Sequence, residues 1–149
     1  MSITLLRHAS STFNEGNQTE KDCGLSETGK LQAESISGHY DIVIVSVMRR
    51  ARETLEYSNI TYDRLIESAL FREKMDSICD YLEDESEGYK ESHNTAIFRA
   101  NTARGYLKII QSENPEANIL VVSHAFFMTY LLRESRMIYN VEHIQLDLN

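Results

Sequence analysis

The sequence is poor in the residues that interrupt or cross-link a chain. Its 149 residues include one proline, six glycines and two cysteines, and no tryptophan. So little proline and glycine excludes a flexible linker rich in these residues, and no repeat or low-complexity tract is present. A chain of this length has room for one domain with a substantial core. We therefore expect a single domain over residues 1–149.

The two cysteines, Cys23 and Cys79, match neither a CxxC motif nor the spacing of a metal site. This pattern predicts free thiols in a reducing compartment. The first residues contain no basic segment ahead of a long apolar stretch, so no secretory signal is expected. No apolar run approaches the roughly 18 residues that span a bilayer. We therefore expect a cytoplasmic protein with no membrane partner.

Positive charge is scarce, because 15 lysines and arginines stand against 23 aspartates and glutamates, for a net charge of −8. This balance argues against the broad basic surface that binds nucleic acid. A few cations gathered in a cleft could still hold a phosphate ligand. The sequence shows no carboxylate cluster that would bind a metal, and we expect no metal or other cofactor.

Three short apolar runs indicate strands that are buried on both faces. They are rich in isoleucine, valine and leucine and lack the polar alternation of a one-sided sheet, which is typical of a mostly parallel sheet flanked by helices. The runs are residues 3–6, 42–45 and 119–122. Residues 141–148 alternate instead, as a half-exposed edge strand does.

Helical segments lie between the strands, at residues 26–39, 49–58, 93–112 and 125–134. Ser26 is the expected N-cap of the first helix, with Leu31 and Ile36 facing inward. In the third helix, helical spacing predicts an inward face formed by Ile97, Ala100, Ala103, Leu107 and Ile110. The charged segment 83–91 predicts a solvated loop. Strands alternating with helices predict an α/β fold, a three-layer α/β/α sandwich.

Ionisable or hydroxyl residues follow each of the three buried strands at once. In open α/β sheets, ligands bind at the carboxyl ends of the strands, so these side chains are expected to converge. Several fixed cationic or proton-exchanging groups suit a phosphoryl group. The residues are Arg7 and His8 after the first strand, Ser46 and Arg50 after the second, and Ser123 and His124 after the third.

Four sequence blocks resemble the motifs of the histidine phosphatase superfamily, in its phosphoglycerate-mutase-like branch. Residues 7–14 (RHASSTFN) are similar to its RHGETxWN signature, and residues 25–29 (LSETG) to its LTxxG helix start. Residues 46–55 (SVMRRARETL) resemble its SxxxRAxxT block, and residues 119–124 (ILVVSH) its VVSH strand and turn. The blocks occur in the family's order over most of the chain.

The resemblance implies that His8 is a nucleophile that becomes phosphorylated, without a metal, and that Ser46 orients its turn. A neutral imidazole is a competent nucleophile near pH 7, and neighbouring cations would lower its pKa. The residues that would bind the phosphoryl oxygens are Arg7, Arg50 and His124, with Asn14 and Ser11 adding hydrogen bonds.

The general acid of the family lies in an LxE stretch, which residues 71–73 (FRE) match through Glu73. The family's GxxEG pattern that follows has become SICDY at residues 77–81, so Asp76 and Asp80 stay open as alternatives. Ala9 and Ser10 replace the usual Gly-Glu, and Ala125 replaces the glycine that follows the second histidine. A serine at position 10 removes a charge from the pocket rim, so relatives do not indicate the substrate.

The leading hypothesis is therefore hydrolysis of a small phosphomonoester. The alternatives are a phosphatase acting on phosphoproteins or phosphohistidine, and a non-catalytic phosphate-binding module of the same fold. A mutase is disfavoured, because the mutases of the family carry an additional basic insertion where segment 83–91 is short and acidic.

Overall fold

One five-stranded sheet forms the centre of the protein, in a computed structural model that describes residues 2–149. The strands are β1 (Ser2–Arg7), β2 (Ser37–Ser46), β3 (Asn59–Ser68), β4 (Asn118–Ser123) and β5 (His143–Gln145). They lie in the order β3-β2-β4-β1-β5, and all neighbours are parallel except β5, which is antiparallel to β1. The α/β fold with a mostly parallel sheet is confirmed.

The predicted buried runs lie within β1, β2 and β4, and their side chains divide between two hydrophobic cores. On β1, for example, Leu5 belongs to one core and Leu6 to the other. The first core includes residues of helices α3 (His93–Glu113) and α4 (Ala125–Leu132), and the second includes residues of α2 (Arg49–Tyr57). Alternate side chains of the same strand are therefore buried against different helices, which explains the continuous apolar runs.

The first helix, α1 (Glu27–Glu34), is shorter than the sequence predicts. Ser26 caps it as expected, because its Oγ accepts a hydrogen bond from the backbone N–H of Gly29 at 3.0 Å. The extension to residue 39 is wrong, because β2 begins at Ser37 and pairs with β3 along its length. The inward position of Leu31 is also wrong, since 68% of this residue is exposed.

The later elements follow the predictions more closely. Helices α2 and α3 lie where they are expected, although Ile97 is exposed while the other predicted inward residues of α3 are buried. Arg133 ends α4 in the left-handed conformation (φ 58°), two residues early. The edge strand near the C-terminus is confirmed as β5 but spans only three residues. In the described part of the chain, no helix is long and apolar enough to cross a membrane.

The charged segment 83–91 contains no helix or strand and is mostly exposed, as predicted, but two of its carboxylates are not free in solvent. Glu85 pairs with Arg72 at 2.7 Å, and Glu91, which is buried, pairs with Arg99 at 2.8 Å. Arg99 also donates to the backbone carbonyl of Glu73 at 3.3 Å. These ion pairs fasten the loop to the chain that carries the predicted general acid.

Phe71 is fully buried, and its ring lies edge-on to Phe127 with 6.2 Å between the centroids. Replacing Phe71 with alanine is expected to lower the free energy of unfolding by about 3–5 kcal/mol, because the truncation leaves a cavity in the larger core. Phe98→Ala is the matched control on an exposed ring and should change stability by less than about 0.5 kcal/mol. Urea denaturation measures both, and similar values for the two variants would contradict this packing.

Candidate active site

The carboxyl ends of β1 and β4 bring the two predicted histidines together. Arg7 of β1 is in register with Ser123 of β4, and the backbone N–H of His8 donates to the carbonyl of Ser123 at 3.1 Å. The chain continues from these positions into His8 and His124, whose ring centroids are 5.1 Å apart. Parallel register, rather than proximity in sequence, thus creates the pair.

His8 is held as a neutral imidazole with a defined proton position. Only 4% of the residue is exposed, and its Nδ1 lies 2.7 Å from the carbonyl oxygen of Ala9. A carbonyl can only accept, so Nδ1 carries the proton and Nε2 holds the free electron pair. Burial lowers the pKa of His8 well below its ordinary value of 6.5, and the charges of Arg50 and Arg7 lower it further.

His124 is completely buried, and only one of its two ring nitrogens has a hydrogen-bond partner among residues 2–149. Its Nε2 lies 2.9 Å from Oγ of Ser46, which also accepts the backbone N–H of Met48 at 3.2 Å. If the hydroxyl of Ser46 donates to Nε2, Nδ1 carries the proton, and no described residue accepts it. Burial and Arg50 keep the pKa of His124 well below 6.5. Ser46 thus contacts both its own turn and the second histidine, which fits an orienting role.

The two predicted arginines, Arg7 and Arg50, use only some of their N–H groups in hydrogen bonds to the protein. Arg7 donates from Nη1 to the carbonyl of Ile138 at 2.7 Å, while its buried Nε has no partner within residues 2–149. Arg50 is almost fully buried; it donates from Nη1 to the carbonyl of Cys79 and from Nη2 to Asp80, both at 2.8 Å. Each guanidinium carries five N–H donors, so both arginines retain donors for an anion.

The side chain of Glu73 reaches the N-terminus of α4, where its carboxylate faces the first backbone N–H groups of the helix. Its oxygens accept the backbone N–H groups of Phe127 at 2.8 Å, Phe126 at 3.2 Å and Lys74 at 2.8 Å. Burial, followed by the negative charge of Asp80, raises the pKa of Glu73 above its ordinary 4.5, although Arg50 and the N–H groups oppose this effect. A carboxyl group with a raised pKa is suited to proton donation.

A cavity of about 110 Å³ gathers most of the predicted site. His124 lies behind it, against His8, instead of among its lining residues. Asp76, Asp80 and Phe126 also line the cavity. The lining residues that the sequence predicts are Arg7, His8, Ser11, Asn14, Arg50 and Glu73.

Ser11 and Asn14 form a closed local pair at the cavity wall. The backbone N–H of Ser11 donates to Oδ1 of Asn14 at 3.1 Å, and the backbone N–H of Asn14 donates to Oγ of Ser11 at 3.2 Å. Asn140 reaches the same region and donates to the carbonyl of His8 at 3.0 Å. Asn140 belongs to no motif in the sequence, and its contribution depends on how the C-terminal segment folds back over β1.

Ser10, in the loop that carries His8, contacts both Glu15 and the start of α1. Ser10 donates from its hydroxyl to Glu15 at 3.0 Å, and its carbonyl accepts the N–H of Ser26 at 3.0 Å. A Cβ on Gly29 would lie 1.9 Å from this same carbonyl oxygen. Gly29 is therefore required for the close approach of α1 to the loop that carries His8.

Asp76 and Asp80, the alternative acids, lie in different surroundings. Asp76 is exposed, whereas Asp80 is buried and paired with Arg50. Both oxygens of Asp80 accept hydrogen bonds from Arg50 and from backbone N–H groups, so the carboxylate is committed to these contacts. Among the three carboxyl groups, Glu73 has the surroundings best suited to a general acid.

Three solved structures illustrate the similarity of this fold to known proteins, each with less than 20% sequence identity. Phosphoglycerate mutase from Thermus thermophilus is 16% identical, with a TM-score of 0.68 and full coverage of both chains. Phosphoserine phosphatase from Entamoeba histolytica, in complex with 3-phosphoglyceric acid, is 17% identical, with a TM-score of 0.66 and coverage of 95% of this chain and 88% of that one. The protein histidine phosphatase SixA, complexed with tungstate, is 18% identical, with a TM-score of 0.58 and coverage of 95% and 84%.

At this level of identity the solved structures establish a shared fold and leave activity open. A search of curated protein sequences gave no match. The sequence model of the histidine phosphatase superfamily (branch 1) matches residues 3–147, which is nearly the whole chain. The chain therefore belongs to the histidine phosphatase superfamily, branch 1.

Proposed function

We propose that this protein is a metal-independent phosphatase that hydrolyses phosphomonoesters through a phosphohistidine at His8. The observation that carries the proposal is the set of unused donors around a neutral imidazole. Among residues 2–149, the buried Nε of Arg7 and the buried Nδ1 of His124, which lies behind the cavity, have no partner, and Arg50 retains three N–H groups. A phosphoryl group offers three oxygens that can accept these donors.

In the first step, Nε2 of His8 attacks phosphorus and the bond from phosphorus to the ester oxygen breaks. Glu73 transfers its proton to the departing oxygen, so the leaving group departs as an alcohol. Arg7, Arg50 and His124 hold the phosphoryl oxygens and stabilise their charge in the transition state. The product of this step is phosphorylated His8 and ionised Glu73.

In the second step, water attacks the phosphorus of phosphorylated His8, and the N–P bond breaks. The ionised Glu73 takes a proton from this water, which restores the acid for the next cycle. Inorganic phosphate leaves, and His8 again holds a free electron pair on Nε2. Because the charge is stabilised by protein donors throughout, the cycle requires no metal.

Phosphate release from 4-nitrophenyl phosphate in the presence of vanadate and of EDTA tests this proposal. Vanadate, which resembles the transferring phosphoryl group, should inhibit competitively because it uses the same donors. EDTA should leave kcat and KM unchanged. Absence of turnover at every pH tested, or its loss on chelation, would contradict the proposal.

The surface beside the cavity supports a phosphoprotein or phosphohistidine substrate as the second candidate. Phe126 is 65% exposed and lines both the 110 Å³ cavity and a neighbouring groove of about 580 Å³ between α3 and α4. An open wall of this kind can accommodate a leaving group larger than a metabolite. A higher kcat/KM for phosphopeptides or phosphohistidine peptides than for small phosphomonoesters would favour this candidate.

The remaining alternatives make different predictions for the fate of the phosphoryl group. A mutase would move phosphate between positions of phosphoglycerate faster than it releases phosphate. A binding module would retain phosphate without acid-labile phosphorylation. Incubation with phosphoglycerate, followed by quantification of isomers and free phosphate, separates these cases from hydrolysis.

A further inference from the structure

Asp80 is surrounded by hydrogen-bond donors on both carboxylate oxygens. Oδ1 accepts from Nη2 of Arg50 at 2.8 Å, and the thiol of Cys79 lies 3.6 Å away. Oδ2 accepts the backbone N–H groups of Asp76 at 3.1 Å and Ser77 at 2.9 Å. The residue is 5% exposed, so these contacts take the place of water. Both oxygens of Asp80 are therefore bound in fixed positions by groups of the protein.

The contacts of Asp80 fix the plane of the Arg50 guanidinium. The carboxylate and the neighbouring carbonyl of Cys79 each accept one N–H group, from Nη2 and Nη1 respectively. Two anchors on a planar group prevent its rotation and leave the other three N–H groups oriented. Arg72 holds this arrangement from behind, by donating to the backbone carbonyl of Asp80 at 2.7 Å.

Asp80 also affects the protonation of Glu73 through its charge. The cationic neighbours of Glu73 include Arg50 and Arg7, which both favour its ionised form, and Arg99, which donates to its backbone carbonyl at 3.3 Å. Asp80 is the anionic neighbour and opposes them, and the phenol of Tyr130 on α4 is a further titratable neighbour. Loss of the Asp80 charge would leave the attraction of the arginines unopposed and favour ionised Glu73.

We propose that Asp80 is a positioning residue of the reaction, which orients Arg50 towards the phosphoryl group in the cavity that Glu73 also lines. This inference rests on the proposed function and assigns Asp80 a role other than that of the acid. Because Asp80 contacts Arg50 and its charge also acts on Glu73, a substitution of Asp80 should change both the affinity for a phosphate-like ligand and the pH dependence of turnover.

Asp80→Asn tests the proposal with a side chain of nearly the same shape. We expect inhibition by vanadate to weaken by about 10-fold, because Arg50 loses a charged partner. We also expect the decline of kcat with rising pH to begin at lower pH than in the wild type, because Glu73 ionises more easily. Asp84→Asn removes one negative charge from an exposed position four residues further along the chain and should change neither quantity.

Asp80→Glu separates charge from geometry and provides a second test if the asparagine variant does not fold. It should keep the pH dependence near that of the wild type while weakening vanadate inhibition, because the charge is retained but displaced. Wild-type vanadate affinity and pH dependence in Asp80→Asn would overturn the proposal, as would a glutamate variant whose pH dependence departs from the wild type. Absence of turnover in the wild type would instead refute the proposed function.

Discussion

Replacing His8 with alanine is expected to reduce turnover of 4-nitrophenyl phosphate by at least about 10³-fold, because the variant has no nucleophile. The arginines and His124 would still bind the phosphoryl group, so vanadate should continue to bind. The effect should therefore appear in kcat much more than in affinity. Steady-state kinetics and vanadate titration measure the two quantities on the same samples.

His39→Ala is the matched control for His8→Ala. His39 lies on β2 and is largely exposed, with its ring contacts to Thr61 and Asp63 on the neighbouring strand. The control should retain wild-type kcat and KM. A His8→Ala variant that is folded and keeps a substantial fraction of wild-type turnover would exclude His8 as the nucleophile.

Glu73→Gln is expected to reduce kcat by about 10²–10⁴-fold on substrates whose alcohol is a poor leaving group, since the amide cannot donate the proton. The reduction of the phosphorylation step should be smaller for 4-nitrophenyl phosphate, because nitrophenolate departs without protonation. Glutamine can still accept the N–H of Phe127, so the start of α4 should remain intact. Comparison of alkyl and nitrophenyl phosphates by stopped-flow and rapid quench measures this difference.

The pH dependence provides an independent check on Glu73. Its pKa is raised, and the first step requires the protonated form, so kcat/KM should fall as pH rises through this pKa. The pKa of His8 is lowered, and attack requires the neutral form, so activity should persist below pH 6.5, where an ordinary histidine becomes charged. Glu87→Gln, in the exposed loop, should keep the wild-type profile. If the decline of kcat/KM with rising pH is unchanged in Glu73→Gln, the acid is another residue.

The sequence predicts those strands that are buried on both faces, because such burial requires a continuous run of apolar residues. β1, β2 and β4 are buried on both faces, and hence each contains a continuous apolar run. β3 is an edge strand with mostly exposed side chains, and its mixed composition gives no such pattern. The sequence predicts inward positions for Leu31 and Ile97 because both are apolar. In the structure the small residues Ala33 and Ala100 pack against neighbours while the larger side chains face solvent.

Some residues of the candidate site can be predicted from the sequence, whereas others are identified only by their contacts in the folded chain. His8, Arg50 and His124 are predictable because strand ends of a parallel sheet converge, and the resemblance supplies their roles. Two contacts cannot be predicted from the sequence, because both depend on loops that fold back over the sheet. They are the ion pair of Asp80 with Arg50 and the hydrogen bond from Asn140 to the carbonyl of His8. The sequence also leaves three carboxylates as candidates for the acid, which only their surroundings distinguish.

The most direct test of the account is to identify the phosphorylated residue. Glu73→Gln should accumulate a phosphoenzyme with 4-nitrophenyl phosphate, because the variant loses the base that activates water while the leaving group needs no proton. After an alkaline quench, peptide mass spectrometry should find one acid-labile phosphoryl group per chain, on His8. Phosphate on another residue, or turnover in the wild type with no phosphoenzyme detectable in either protein, would contradict phosphoryl transfer through His8.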